Sequence, residues 1–397
     1  MPSREELKAR VSRAVDELAA ELLALSHQIH ENPELGLQEH RASAWLADYL
    51  TRQGFQVERG TAGLPTAFRA EFGHHPGPRV AFLAEYDALP ELGHACGHNI
   101  IGTAAVGAGV ALSRVMSELN GTVVVLGTPA EEGAVDGAGG KVAMVEKGVF
   151  ADIDAALLVH PSTTNGVGGT SLGRIALEIS FRGKPAHAAG APHEGINALD
   201  AAIQTFNGIN ALRQHITSDA RIHGIITKGG VSPNIVPEYA EIRLYVRAAK
   251  RDYLRQLEEK VKNCARGAAL ATGATVNFRY TAYTYEDMVT NQTLAAALAQ
   301  NFAALGRLVE DNRNGGSGST DMGNVSHVTP AVHAYIAIAP KGVAGHSHEF
   351  AAAAASPDGD RAVLDGAKVL AMTAVDFLLD PELRQKVREE FSRRAEG

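Results

Sequence analysis

The run His94-Ala95-Cys96-Gly97-His98 places a thiol and two imidazoles within five residues, directly after a strand-like segment at 80–85 and the turn Asp87-Ala88-Leu89-Pro90. Zinc-like cations are bound by Cys thiolate, His nitrogen and carboxylate oxygen, and a catalytic site keeps one position for water. Glu131, Glu132, His160 and His346 add further ligand types, each where another apolar run stops. Cys96, His98, Glu132, His160 and His346 suffice for a two-cation centre if a thiolate or carboxylate bridges the ions. A pair of cations about 3.5–4 Å apart can polarise a carbonyl and generate hydroxide together, which suits amide hydrolysis.

Neighbouring residues in extended backbone point to opposite faces, so the Glu131-Glu132 pair divides into two roles. Glu132 is assigned to the metal, and Glu131 to the attacking water as a general base that later returns its proton to the leaving amine. Asp87 is placed to orient an imidazole, because a ligating His donates its other N–H to a carboxylate or carbonyl. Plainer readings compete with these. Cys96 can be a small buried hydrophobe, the Glu pair a solvated acidic turn, and His94, His193, His215, His223, His327 and His333 ordinary surface or core histidines. His346 and His348 compete for one ligand role, and His346 is preferred.

The elements that must carry these groups alternate in type. Residues 5–30 space Leu7, Val11, Val15, Leu18, Leu22 and Leu25 as a packing helix, and a second helix covers 41–53. Strands at 68–72, 80–85, 122–128 and 155–160, with helices at 100–119 and 141–147 between them, predict an α/β fold: a mainly parallel sheet flanked by helices. Ligands in such sheets collect at the carboxyl ends of the strands. Residues 331–338 read as a further strand of the same sheet, leading to Gly345-His346-Ser347-His348. Between these parts the order becomes βαββαβ, with strands at 171–181, 221–228, 239–247 and 275–283 and helices at 195–214 and 252–271. That order predicts an inserted ferredoxin-like domain at 171–285, within a catalytic domain made of 1–170 and 286–397. Exposed sheet edges are commonly covered by a partner, so a homodimer through the insert is expected.

Composition narrows the field. A chain of 397 residues with 45% hydrophobic content supports two domains. A net charge of −8 without a basic run disfavours nucleic acid and anionic membranes as partners. The polar opening Met1-Pro2-Ser3-Arg4-Glu5-Glu6 lacks the apolar core of a secretory signal. The apolar stretch at 100–112 falls short of the roughly 20 residues needed to span a bilayer, and a cytoplasmic protein is expected. Cys96 and Cys264 lie in dissimilar contexts, which argues against a disulfide and leaves Cys96 free as a ligand.

Through His30-Glu31-Asn32-Pro33-Glu34-Leu35-Gly36, the Asp87 turn, residues 94–99 and 128–133, His160-Pro161, and residues 183–188, 233–237, 318–324 and 346–350, the sequence resembles the aminoacylase and glutamate-carboxypeptidase family of dinuclear metallopeptidases. The resemblance covers nearly the whole chain. It is greatest to the amidohydrolase branch that includes p-aminobenzoyl-glutamate hydrolase; hippurate and auxin-conjugate hydrolases are more distant. It implies metal ligands at Cys96, His98, Glu132, His160 and His346 and a base at Glu131. It further implies that His187 reaches from the insert to polarise the scissile carbonyl, in this family often across a dimer interface. Asn234 and Arg247 match substrate-facing positions, suited to a carboxylate, and Ser319 and Thr320 belong to a loop at 315–321 that lies near the substrate in this branch. Two departures matter. Glu85 stands where peptidase members carry a ligating His, and Asn99 where the hippurate and auxin-conjugate hydrolases carry Asp.

The expected activity is metal-dependent hydrolysis of the amide bond of an N-acyl or N-aroyl amino acid, with two Zn²⁺ or Mn²⁺ ions and a small-molecule amide as substrate. The alternative is a metallo-dipeptidase acting on an unusual β-alanyl or basic dipeptide. A Cys96 thiol nucleophile, a zinc deaminase and a non-catalytic binding protein rank below these. The deaminase pattern is absent, and binding alone has no need of a base beside the metal.

Overall fold

The computed structural model describes residues 2–73, 77–310 and 318–395, so positions 315–317 of the loop read near the substrate lie outside the described residues. Among the described residues, eleven strands follow in chain order: β1 Gln56–Arg59, β2 Phe68–Gly73, β3 Arg79–Ala84, β4 Thr122–Gly127, β5 Ala155–Ser162, β6 Gly166–Val167, β7 Gly173–Arg182, β8 Arg221–Lys228, β9 Tyr239–Ala248, β10 Thr275–Tyr280 and β11 Ala331–Ala337. The chain divides into two compact units, Met1–Thr170 with Met288–Gly316 and Asp321–Gly397, and Ser171–Asp287 with Ser317–Thr320.

The first unit holds a seven-stranded sheet in the order β1-β2-β4-β3-β5-β11-β6. Its four central strands, β4, β3, β5 and β11, run parallel to one another, and antiparallel pairs close the two sides. The central strands are Val-, Leu- and Ala-rich runs buried on both faces, as a helix-covered parallel sheet requires. This is the expected α/β architecture. Its buried layers lie on the two sides of the sheet, one built around Phe82, Val125 and Leu157 and the other around Leu83, Leu126 and Leu158.

The helix expected at 100–119 begins earlier and ends earlier, at His98–Ser113. Its start is set by Gly97, at φ +75°, where an added Cβ would lie 2.7 Å from Pro161 Cγ. Glycine alone meets both demands. The consequence is that His98 stands in the first helical turn. Nearly every residue of this helix is buried, so its Ala- and Gly-rich composition reflects packing under other helices, such as that of Gly107 against Leu22 and Ala367. The helix read over 5–30 is two, Arg4–Glu17 and Ala19–His30, meeting at Leu18. No helix of the described residues is long and apolar enough to cross a membrane.

The second unit holds a four-stranded antiparallel sheet in the order β10-β7-β9-β8. Helices Ala198–Leu212 and Arg251–Thr272 pack on one of its faces through Ala201, Ile209, Leu257 and Val261. Strand β8 is an edge with Ile225 and Ile226 exposed.

Candidate metal centre

Because β3, β4, β5 and β11 are parallel, their carboxyl ends share one side of the sheet. Asp87 follows β3, Glu131 and Glu132 follow β4, His160 lies near the end of β5, and the loop after β11 carries His346. Cys96 and His98 come from the start of the helix His98–Ser113. Single donor atoms of Cys96, His98 and His160 lie within 4.8 Å of one another, as do those of Cys96, Glu132 and His346, and those of His98, Glu131 and Glu132. Folding therefore gathers all six residues into one cluster.

The imidazoles are oriented for ligation. His98 Nδ1 is 2.9 Å from Asp87 Oδ1, and His160 Nδ1 is 2.7 Å from the Pro161 carbonyl, which leaves Nε2 of each ring facing the cluster. His160 Nε2 is 3.4 Å from Cys96 Sγ, and His346 Nε2 is 3.6 Å from Glu132 Oε1. The other Asp87 oxygen accepts from the Glu132 backbone N–H at 2.9 Å, so one buried carboxylate fixes two prospective ligands. His98 Nε2 and Glu132 Oε1 are buried without a hydrogen-bond partner. Buried polar atoms are rarely left so, and a thiolate, three imidazoles and a carboxylate form a set that suits a zinc-like ion. The residues fit a divalent-cation centre.

Electrostatics agree. Burial, reinforced by the Glu132 carboxylate, pushes the Cys96 thiol well up, so the thiolate needs a cation to form. Burial opposes a charged His98, but Asp87 overrides it and raises that imidazole. Burial lowers His160 to about 4, so this ring is neutral and its Nε2 lone pair is available. Burial, followed by Glu85, Glu132 and Asp321, raises Glu131 well above the ordinary carboxylate range.

Local backbone strain accompanies the cluster. Ala130 and His346 have φ of +56° and +57°, a conformation that costs a non-glycine residue about 1–3 kcal/mol unless its surroundings enforce it. Glu39 is one enforcer. Its Oε1 accepts from the Ala130 N–H at 2.8 Å and its Oε2 from the Thr66 hydroxyl at 3.0 Å, all within the interior. The His346 N–H donates to the Ala95 carbonyl at 3.0 Å and ties its loop to the Cys96 segment.

Several neighbours escaped the sequence reading. His333, read as an ordinary histidine, is buried and stacks on His160 with ring centroids 5.3 Å apart, and Tyr335 is the cross-strand partner of His160. Lys141 is wholly buried against Glu85 and Asp321. The period-two placement of His333 and Tyr335 on β11 is a signal for the first pair; no local signal marks Lys141.

The remaining candidates lie in the second unit. His187 is exposed; its Nδ1 accepts from the Ala189 and Gly190 N–H groups at 3.2 and 3.0 Å, which assigns its proton to Nε2 as an outward donor. The Ala188 N–H donates to the Asn234 carbonyl, and the Ser232 hydroxyl donates to Asn234 Oδ1. Arg247 Nη1 donates to Ser319 Oγ at 2.9 Å, and Arg174 faces Arg247 across β7 and β9. Thr320 is buried beside Ser319 in sequence.

Comparisons with known proteins agree with this picture. The profile of Peptidase family M20/M25/M40 matches residues 81–376. The chain is 43% identical to the Xaa-Arg dipeptidase of Mus musculus, over 98% of this chain and 92% of that protein. It is 38% identical to a p-aminobenzoyl-glutamate hydrolase polypeptide of Escherichia coli (strain K12), over 71% of this chain and 62% of that protein. A dinuclear metal binding peptidase of the M20 family from Bacillus subtilis shares the fold, with a TM-score of 0.70 at 23% identity over 92% of this chain and 99% of that one. By profile match and by identity over nearly its full length, the chain belongs to peptidase family M20/M25/M40.

Proposed function

We propose that the protein hydrolyses the amide bond joining a small acyl, aroyl or aminoacyl group to an amino acid, with Cys96, His98, Glu132, His160 and His346 holding two Zn²⁺ or Mn²⁺ ions. The observation that carries this reading is the convergence of those five donors beside Glu131, a sixth group with no counterpart in a purely structural metal site. Bound ions of this kind supply Lewis acidity toward a carbonyl and lower the pKa of water. Glu131 removes the proton of the attacking water and delivers it to the departing amine; its raised pKa suits an acid that must also be a base. Asp87 holds the His98 ring and the Glu132 main chain in place.

His187 presents Nε2–H, the tautomer that donates to a developing oxyanion. Asn234, Arg247, Ser319 and Thr320 are the substrate-binding candidates, with Arg247 suited to a carboxylate. The unit at 171–285 serves as lid and dimerisation domain in this reading. The exposed Ile225 and Ile226 on edge strand β8 support a homodimer, and the net charge of −8 argues against nucleic acid or an anionic membrane as partner. Placement in the cytoplasm completes the proposal.

Within this class, identity favours the dipeptidase reading. The mouse Xaa-Arg dipeptidase matches at 43% over 98% of the chain, against 38% over 71% for the p-aminobenzoyl-glutamate hydrolase polypeptide. A panel of Xaa-Arg, other basic and β-alanyl dipeptides, their N-acylated forms and p-aminobenzoyl-glutamate, assayed with and without chelator, tests both levels. Cleavage of free-amine dipeptides ending in Arg is expected to dominate and to vanish on chelation. Chelator-resistant turnover that is lost on thiol alkylation would instead establish Cys96 as a nucleophile.

A further inference from the structure

Beside the donor cluster lies a second group of acids. Glu85, Glu131 and Asp321 each bring an oxygen within 4.8 Å of the others, and all three are buried. Three oxygens at this spacing are what a hard divalent ion takes as ligands. This nest already contains a cation that is covalently part of the chain. Lys141 Nζ lies 2.6 Å from Asp321 Oδ1 and 2.6 Å from Glu85 Oε1, the latter as an ion pair off the axis of a good hydrogen bond. The Lys141 backbone N–H donates to the second Asp321 oxygen at 3.0 Å, so Asp321 grips both the main chain and the ammonium of one residue. Lys141, Glu85 and Asp321 side chains have no solvent exposure. A buried ion network of this kind adds little net stability compared with apolar packing, so stability alone does not account for it.

We infer that Lys141 is a built-in counter-cation: its ammonium fills the Glu85–Glu131–Asp321 nest, keeps divalent ions out of it, and so leaves Glu131 unligated beside the metal donors. This deepens the proposed function and rests on it, since it presumes that Glu131 carries protons and does not ligate a metal. Lys141 is thereby a positioning residue. Glu131 belongs to two potential ligand groups, one with His98 and Glu132 and one with Glu85 and Asp321. The fixed ammonium removes the second as a competitor. The same account gives Glu85 a purpose: in place of a ligating His, it supplies one wall of the lysine site, with its other oxygen 3.5 Å from His98 Nε2.

The test counts metal in Lys141→Met, an uncharged side chain of similar length, and in Lys141→Arg, which keeps the charge. Each protein is equilibrated with Mn²⁺, freed of loose ions and analysed for ions per chain, alongside kcat and KM. Wild type and Lys141→Arg are expected to hold the same number, Lys141→Met about one more. Its kcat should fall about 10²-fold with KM little changed, because Glu131 becomes a ligand. Folding of Lys141→Met only when Mn²⁺ is supplied also bears the inference out. An unchanged metal count overturns it, whatever kcat does. If Lys141→Met fails to fold under every condition, Lys141→Gln, which leaves the three acids intact, is read the same way, with an extra ion expected and a wild-type count contradicting. Wild-type protein that binds no ions would defeat the two-cation reading itself, whereas two ions in both wild type and Lys141→Met would defeat this inference alone.

Discussion

Two clusters of buried acid share Glu131 and meet the problem of charge in opposite ways. Around Glu132 the partners are neutral or ionisable donors, and His98 Nε2 and Glu132 Oε1 face one another at 3.9 Å without a hydrogen bond to satisfy either. Around Glu85 and Asp321 the counter-charge is a lysine fixed by its own backbone. Against burial, Lys141 and then His98 hold the Glu85 carboxyl down to about 2, whereas burial raises Glu131. The contrast teaches that acidity alone does not define a metal site. A cluster of ligand-type donors and a cluster paired with an internal ammonium lie side by side, and the residue between them is the proposed base.

The largest effect expected from breaking this contrast is at the shared residue. Glu131→Ala should lower kcat by about 10²–10⁴-fold, measured on metal-loaded protein, with metal content retained. Next comes the lysine-paired cluster. Asp321→Asn leaves the buried ammonium short of one partner and should destabilise the fold by about 3–5 kcal/mol in denaturant titration, because an unpaired buried charge is expensive. The donor cluster is probed through its orienting acid. Asp87→Asn should weaken metal binding by about 10–100-fold in competition with a chelator while the fold persists, since it loosens His98 and the Glu132 main chain together.

The smallest effect sharpens the contrast through pH. Burial, with Asp87 adding to it, raises Glu39 from 4.5 to about 7. The folded state therefore holds this proton more tightly than the unfolded chain. The stability it contributes is fully present below 4.5 and is lost as pH rises to about 7. Glu39→Gln, which keeps an acceptor for the Ala130 N–H and the side-chain shape beside Thr66, should flatten melting free energy across that window by up to roughly 3 kcal/mol. An unchanged pH profile would remove Glu39 as the titrating group.

The parallel core and the gathering of Cys96, His98, Glu131, Glu132, His160 and His346 were legible because apolar runs end in ligand-type residues, and parallel strands bring such ends together. The start of the helix at His98 was not, because it depends on Pro161 crowding Gly97 from another strand. Glu39 gave no sign either: its partner Ala130 is 91 positions away, and only folding joins them. Lys141 is only the first residue of the helix expected at 141–147, since nothing in its neighbourhood of sequence announces two carboxylates from distant segments. Long-range polar partners leave no periodic trace. Apolar faces and strand ends do.

The central claim is that this chain holds a pair of divalent ions next to an unligated Glu131 that moves protons. Metal content per chain, measured together with turnover of an Xaa-Arg dipeptide in wild type and Glu131→Ala, tests it most directly. The account predicts two ions in both proteins and turnover in wild type alone. Turnover that survives in metal-loaded Glu131→Ala, or wild-type activity that persists after the ions are stripped, would contradict it.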